Sequence, residues 1–117
     1  MNGVSIIMLG VSDLDRSTRF YEQTLGRPVR FRAGDTIVFV DGGPIMIGLN
    51  ASLGSQRNPI AGATEVVFSV DSVKASHRAL LDRAAVCIIE PRHVTEKDWA
   101  ATFADPDGHF LTLFGPE

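Results

Sequence analysis

A single cysteine, Cys87, occurs among the 117 residues, so no disulfide can close within the chain and a reducing compartment suits it. It lies in the apolar run Val86-Cys87-Ile88-Ile89. There a thiol is expected to behave as a small buried hydrophobe, with no cation nearby in sequence to favour the thiolate. Positive charge is not in excess. Lys and Arg number 11 against 14 Asp and Glu, a net charge of -3, which leaves no basic footprint for nucleic acid. No apolar run reaches the ~20 residues that cross a bilayer, so no membrane partner is expected. The opening residues lack the basic-then-apolar pattern of a signal peptide, and a cytoplasmic location is expected. A glycine-rich phosphate loop and a nucleophile elbow are also missing. The three histidines, His77, His93 and His109, share no metal-ligand spacing. His77 reads as a helix-surface residue, and His109 as part of a hairpin turn.

What the chain does have is a globular composition, 44% hydrophobic and 21% charged, with length for one domain over residues 1–117. Ser5–Val11 reads as a buried strand and Ser12-Asp13 as the cap of a helix from about Leu14 to Leu25, which Gly26 is placed to end. Pro28–Arg32, Thr36–Val40 and Ile45–Leu49 read as three strands separated by Gly34-Asp35 and Asp41-Gly42-Gly43-Pro44. Residues 50–63 carry Gly, Ser, Asn and Pro without apolar periodicity and are expected to be a linker. The plan then repeats. Thr64–Val70 is a strand, Asp71-Ser72 a cap and Val73–Arg83 a helix, followed by strands near Val86–Ile89, Trp99–Ala104 and Phe110–Phe114.

Val11-Ser12-Asp13-Leu14 recurs 59 positions on as Val70-Asp71-Ser72-Val73, and Asp41-Gly42 recurs 66 positions on as Asp107-Gly108. The larger second offset places a longer loop in the second copy, read as Glu90–Asp98. The expected architecture is α+β: two βαβββ repeats, about 4–49 and 64–115, forming an open eight-stranded barrel-like sheet. Helices lie outside and a concave cleft inside.

Two segments carry a resemblance. Val11-Ser12-Asp13-Leu14-Asp15-Arg16-Ser17 through Phe20-Tyr21 and Leu25-Gly26 is similar to the first strand-to-helix unit of the glyoxalase/bleomycin-resistance/dioxygenase (vicinal-oxygen-chelate) superfamily. Phe103-Ala104-Asp105-Pro106-Asp107-Gly108-His109 through Leu111 is similar to its last hairpin. The resemblance implies a cleft in which the family's enzymes hold a divalent metal from inward-facing strand positions. It places a His or Gln at Ile6, a His or Glu at Glu65, a Glu at Thr112, and a further ligand near Ile47 or Gly48. Only Glu65 could bind a metal strongly here, and about three protein ligands are needed, so no cofactor is expected.

Strand alternation turns Ile6, Met8 and Gly10 into the cleft, with Glu65, Val67 and Ser69 and with Phe110, Thr112 and Phe114. Glu65, among apolar neighbours, would be costly to ionise unless paired. It reads as a counter-ion or hydrogen-bond partner for a ligand, or as a general base, against a solvated strand-end carboxylate. Trp99 and Phe103, with Phe110 and Phe114, offer aromatic walls for a flat ligand, or barrel filling. Phe39, Met46 and Met8 would line the other half, and His93 could lean over the mouth. The reading reached is a metal-independent small-molecule binding protein resembling the antibiotic-sequestering bleomycin-resistance branch, acting as a homodimer. The alternative is a metal-dependent lyase, isomerase or dioxygenase of the glyoxalase type, which would need a divalent metal. Catalysis by Glu65 without metal is a third.

Overall fold

The computed structural model describes residues 2, 4–56 and 64–117. The chain divides into two compact units, Met1–Pro59 and Ile60–Glu117. Each holds a four-stranded mixed sheet, so the described residues form an α+β chain with eight strands.

In the first unit β1 (Ile6–Gly10) leads into α1 (Leu14–Arg19). The Asp13 side chain caps that helix, its Oδ1 accepting from the Arg16 N–H at 3.0 Å. The helix widens into a π-helical stretch, Phe20–Thr24, where the Leu25 N–H reaches back to the Phe20 carbonyl at 3.0 Å. Gly26, at φ 70°, ends it in the left-handed region that glycine enters without penalty. Strands β2 (Val29–Ala33), β3 (Ile37–Asp41) and β4 (Met46–Asn50) follow. The sheet order is β1-β4-β3-β2, with β1 parallel to β4 and the other pairs antiparallel. Leu9, Val38, Val40, Ile47 and Leu49 alternate onto the helix-covered face and are buried there with Val11 and Tyr21.

The second unit repeats this order. Strand β5 (Glu65–Ser69) precedes α3 (Val73–Asp82), whose cap Ser72 accepts from the Ala75 N–H at 3.1 Å. Strands β6 (Val86–His93), β7 (Trp99–Ala104) and β8 (Phe110–Gly115) complete the order β5-β8-β7-β6, with β5 parallel to β8. Val73, Leu80, Ala101, Phe103, Leu111 and Leu113 form its core.

Two sequence expectations are corrected. Residues 51–56 of the expected linker form a helix, α2 (Ala51–Gln56), started by the Asn50 side chain, whose Oδ1 accepts from the Leu53 N–H at 2.9 Å. Residues 57–63 of that linker lie outside the described residues. The expected Glu90–Asp98 loop is shorter, because β6 runs on to His93 with two breaks in its pairing to β7. Pro91, which has no N–H to give a ladder, falls within the second break. Among the described residues no helix is long and apolar enough to cross a membrane.

Asp41, at the end of β3, accepts from the Gly43 N–H at 2.8 Å and from Arg30 Nη2 at 3.0 Å, while Arg27 Nε donates to its backbone carbonyl at 2.7 Å. The Gly43 N–H, and then Arg30 and Arg27, hold its carboxyl below the ordinary value of 3.8 against the opposing effect of desolvation. Its stabilising effect is therefore present above the unfolded pKa and lost as pH falls through the lower folded one. Asp41→Asn should flatten the acid limb of stability below about pH 4 in urea melts at stepped pH, while an unchanged limb would place the anchor elsewhere. Leu49→Ala in the first core should cost about 2–5 kcal/mol by the same melts.

Candidate ligand-binding face

Register and burial decide which side chains share a face. On the first sheet Ile6 pairs with Met46, and Met8 with Gly48, which in turn pairs with Phe39. Phe39 pairs with Phe31, whose ring stacks on it at 4.5 Å and 27°. These residues occupy the face away from the buried Leu9, Ile47 and Leu49, as alternation requires. Phe39 is buried, whereas Met8 is 38% and Phe31 48% exposed. Gly48 matters to this row, because a Cβ there would run into Met8 Sδ and crowd the Phe39 ring. Beside it, Val4, Arg30, Phe31, Asp41, Ile45 and Met46 line an open depression of about 780 Å³. Phe31 was not singled out from sequence. Its place opposite Phe39 follows from a register that shifts between Val29 and Phe31.

On the second sheet Glu65 pairs with Phe110, Val67 with Thr112, and Ser69 with Phe114, which places these expected cleft residues on one face. Glu65 is exposed rather than enclosed by apolar groups, which corrects that part of the expectation. It is also paired: the Thr112 hydroxyl donates to Glu65 Oε2 at 3.0 Å, and Thr112 Oγ1 lies 2.9 Å from Thr102 Oγ1. With the Thr112 proton committed to the carboxylate, Thr102 is the donor in the second bond. Thr102 and Thr112 are buried, so the chain runs from a core hydroxyl to an open carboxylate. Sequence reading missed Thr102, whose partnership with Thr112 comes from the β7–β8 register. Arg92, opposite Ala100 on the same face, was missed as well.

His93, Trp99 and Phe103 do not join this face, and that part of the expected wall is corrected. Phe103 is fully buried beneath α3, its ring 5.5 Å from that of His77. Lys74 Nζ of α3 sits 4.9 Å over Trp99, and His93 lies 4.3 Å from Trp99. Along β7, Trp99, Ala101 and Phe103 turn toward α3, while Ala100 and Thr102 pair with Phe114 and Thr112. His109 is buried in the last hairpin, its N–H donating to Asp105 Oδ1 at 2.8 Å.

The donor set does not fit the metal that the resemblance implies. Ile6 has no donor atom, Ile47 is buried against the helix-covered face, and Thr112 spends its hydroxyl on Glu65. That leaves one strong ligand, Glu65, where about three are needed. Among the described residues one group of three metal-capable side chains exists, His77, Cys87 and Glu90, on the α3 side of the second sheet. His77 is thus not the surface residue expected, its side chain being 13% exposed. Cys87 is half-buried, and burial first and the Glu90 carboxylate second push its thiol above the usual pKa.

Relatives of known name match most of this chain and about four fifths of their own length. It is 31% identical over 117 residues to the metallothiol transferase FosB of Staphylococcus epidermidis, covering 97% of this chain and 81% of that one. It is 28% identical over 113 residues to FosB of Lysinibacillus sphaericus, covering 93% and 79%. The crystal structure of TnmS3, an antibiotic binding protein from a Streptomyces species, has the same fold, with a TM-score of 0.82 and 24% identity over 100% of this chain and 98% of that one. The family model for the glyoxalase/bleomycin resistance protein/dioxygenase superfamily matches residues 3–113, from before β1 into β8, and the chain belongs to that superfamily.

Proposed function

We propose that this chain is a metal-independent small-molecule binding protein of the antibiotic-sequestering kind, cytoplasmic, with residues 1–117 acting as one domain of a homodimer. One observation carries the reading: where the family's metal enzymes place ligands, Ile6 is apolar and Thr112 donates to Glu65. The apolar row of Met8, Phe39 and Phe31 supplies flat, adaptable surface. Glu65, held through one oxygen by Thr112, keeps its other oxygen for a cation or donor on the ligand. The shared fold with an antibiotic binding protein supports the same class of ligand.

The likeness to metallothiol transferases favours a second reading, a metal-dependent enzyme that would need ligands from a second chain. Calorimetry of a panel of aromatic and cationic antibiotics, bleomycin among them, separates the two. Chelator-treated protein should bind with unchanged Kd; affinity lost on chelation and restored by added divalent metal would overturn the binding-protein reading.

Glu65→Gln should weaken a cationic ligand by about 10- to 100-fold, the range of a lost charge-assisted hydrogen bond. Unchanged affinity together with abolished turnover would instead assign Glu65 to catalysis. Thr112→Val should cost about 1–3 kcal/mol in urea melts by stranding the Thr102 hydroxyl, and Thr102→Val combined with it should recover much of that loss.

A further inference from the structure

The group on the far side of the second sheet has a geometry of its own. His77 Nε2 lies 3.6 Å from Cys87 Sγ and 3.1 Å from Glu90 Oε2. The ligating atoms of all three residues fall within 4.8 Å of one another. A tetrahedral zinc ion with Zn–S about 2.3 Å and Zn–N and Zn–O about 2.0–2.1 Å sets S···N near ~3.6 Å and N···O near ~3.3 Å. Both distances from His77 Nε2 are therefore close to those between ligands before any ion is present.

The backbone explains how they meet. Cys87 and Glu90 are three residues apart on one strand, an odd separation that alternation would send to opposite faces. The pairing of β6 with β7 breaks between Cys87 and Ile89, because Cys87 faces Phe103 and Ile89 already faces Thr102. That extra residue, Ile88, resets the alternation and returns Glu90 to the face of Cys87. His77 arrives from α3 on the stripe of Val73 and Leu80, the buried positions one turn to either side. Its ring rests near Phe103, which limits its rotation.

We propose that His77, Cys87 and Glu90 form a binding site for a zinc-class divalent cation, distinct from the open face that carries Glu65. Thiolate, imidazole and carboxylate are a borderline donor set that suits zinc over magnesium or calcium. On binding, the Cys87 S–H bond breaks, its proton leaves to solvent, and the sulfur electron pair forms the Zn–S bond. Three protein ligands leave a fourth position for water on the side of Glu90, whose side chain is 77% exposed. The ion would tie α3 to β6.

The test uses the reduced full chain, stripped of metal and titrated with zinc by calorimetry, and with cobalt as an optical probe. One equivalent per chain is expected, with a thiolate-to-cobalt charge-transfer band in the near ultraviolet and a Tm that rises with zinc concentration. Cys87→Ser should remove the band and weaken zinc at least tenfold, as should His77→Gln. Glu90→Gln, on an exposed side chain that leaves the fold intact, should weaken it by a smaller factor. Glu65→Gln should leave zinc affinity unchanged. Absence of the band, zinc affinity that survives both Cys87→Ser and Glu90→Gln, or zinc lost on Glu65→Gln would each overturn the proposal.

Discussion

The parallel pairing of the first strand of each repeat with its last is the constraint on which the remaining structure depends. In the first unit it sets Met8 beside Gly48, and in the second it sets Val67 beside Thr112. A parallel pair cannot be joined by a tight turn, so each repeat needs a crossover, and α1 and α3 cover one face of their sheets as they make it. The covered face takes the aliphatic residues, Leu9, Ile47 and Leu49 in one unit and Leu111 and Leu113 in the other. Because side chains alternate, the opposite face is fixed at the same time. The core and the helix-free face are thus two sides of one register.

Much of this was legible in the residues. The caps Asp13 and Ser72, the strand periodicity and the two copies of the turn at Asp41-Gly42 and Asp107-Gly108 are local signals, and apart from α2 and the extension of β6 the elements follow them within a residue or two. That Met8 lies on the helix-free face of its sheet, and Glu65, Val67, Thr112 and Phe114 on that of theirs, was readable because β1, β5 and β8 alternate without interruption. What escaped depends on pairing between strands, which no local pattern encodes. Thr102 acquires its role from standing opposite Thr112, and Phe31 from standing opposite Phe39. Trp99 and Phe103 were grouped with the ligand face on aromatic character, whereas their parity on β7 sends them to α3. The His77–Cys87–Glu90 group was invisible for a related reason: its spacing has meaning only after a bulge has been placed.

The polar chemistry of the second sheet is graded by depth. Thr102 is buried, Thr112 slightly less so, and Glu65 open, with hydroxyl protons all directed outward toward the carboxylate. Such a line satisfies buried oxygens while delivering their dipoles to the surface, so the site is oriented from the core rather than from a loop. The first sheet contributes little polarity of this kind and much apolar area, so the two open faces offer complementary chemistry.

The bulge at Ile88 has a consequence for how such a chain can change. A strand is a parity device: removing one residue exchanges the neighbours of every side chain beyond the cut, while the composition hardly alters. In β6 that single unit of length decides whether Glu90 stands with Cys87 or with Thr102. The same strand can therefore be re-addressed by insertion or deletion without a substitution at any of its chemically active positions, and relatives that differ there by one residue would carry identical side chains to opposite faces.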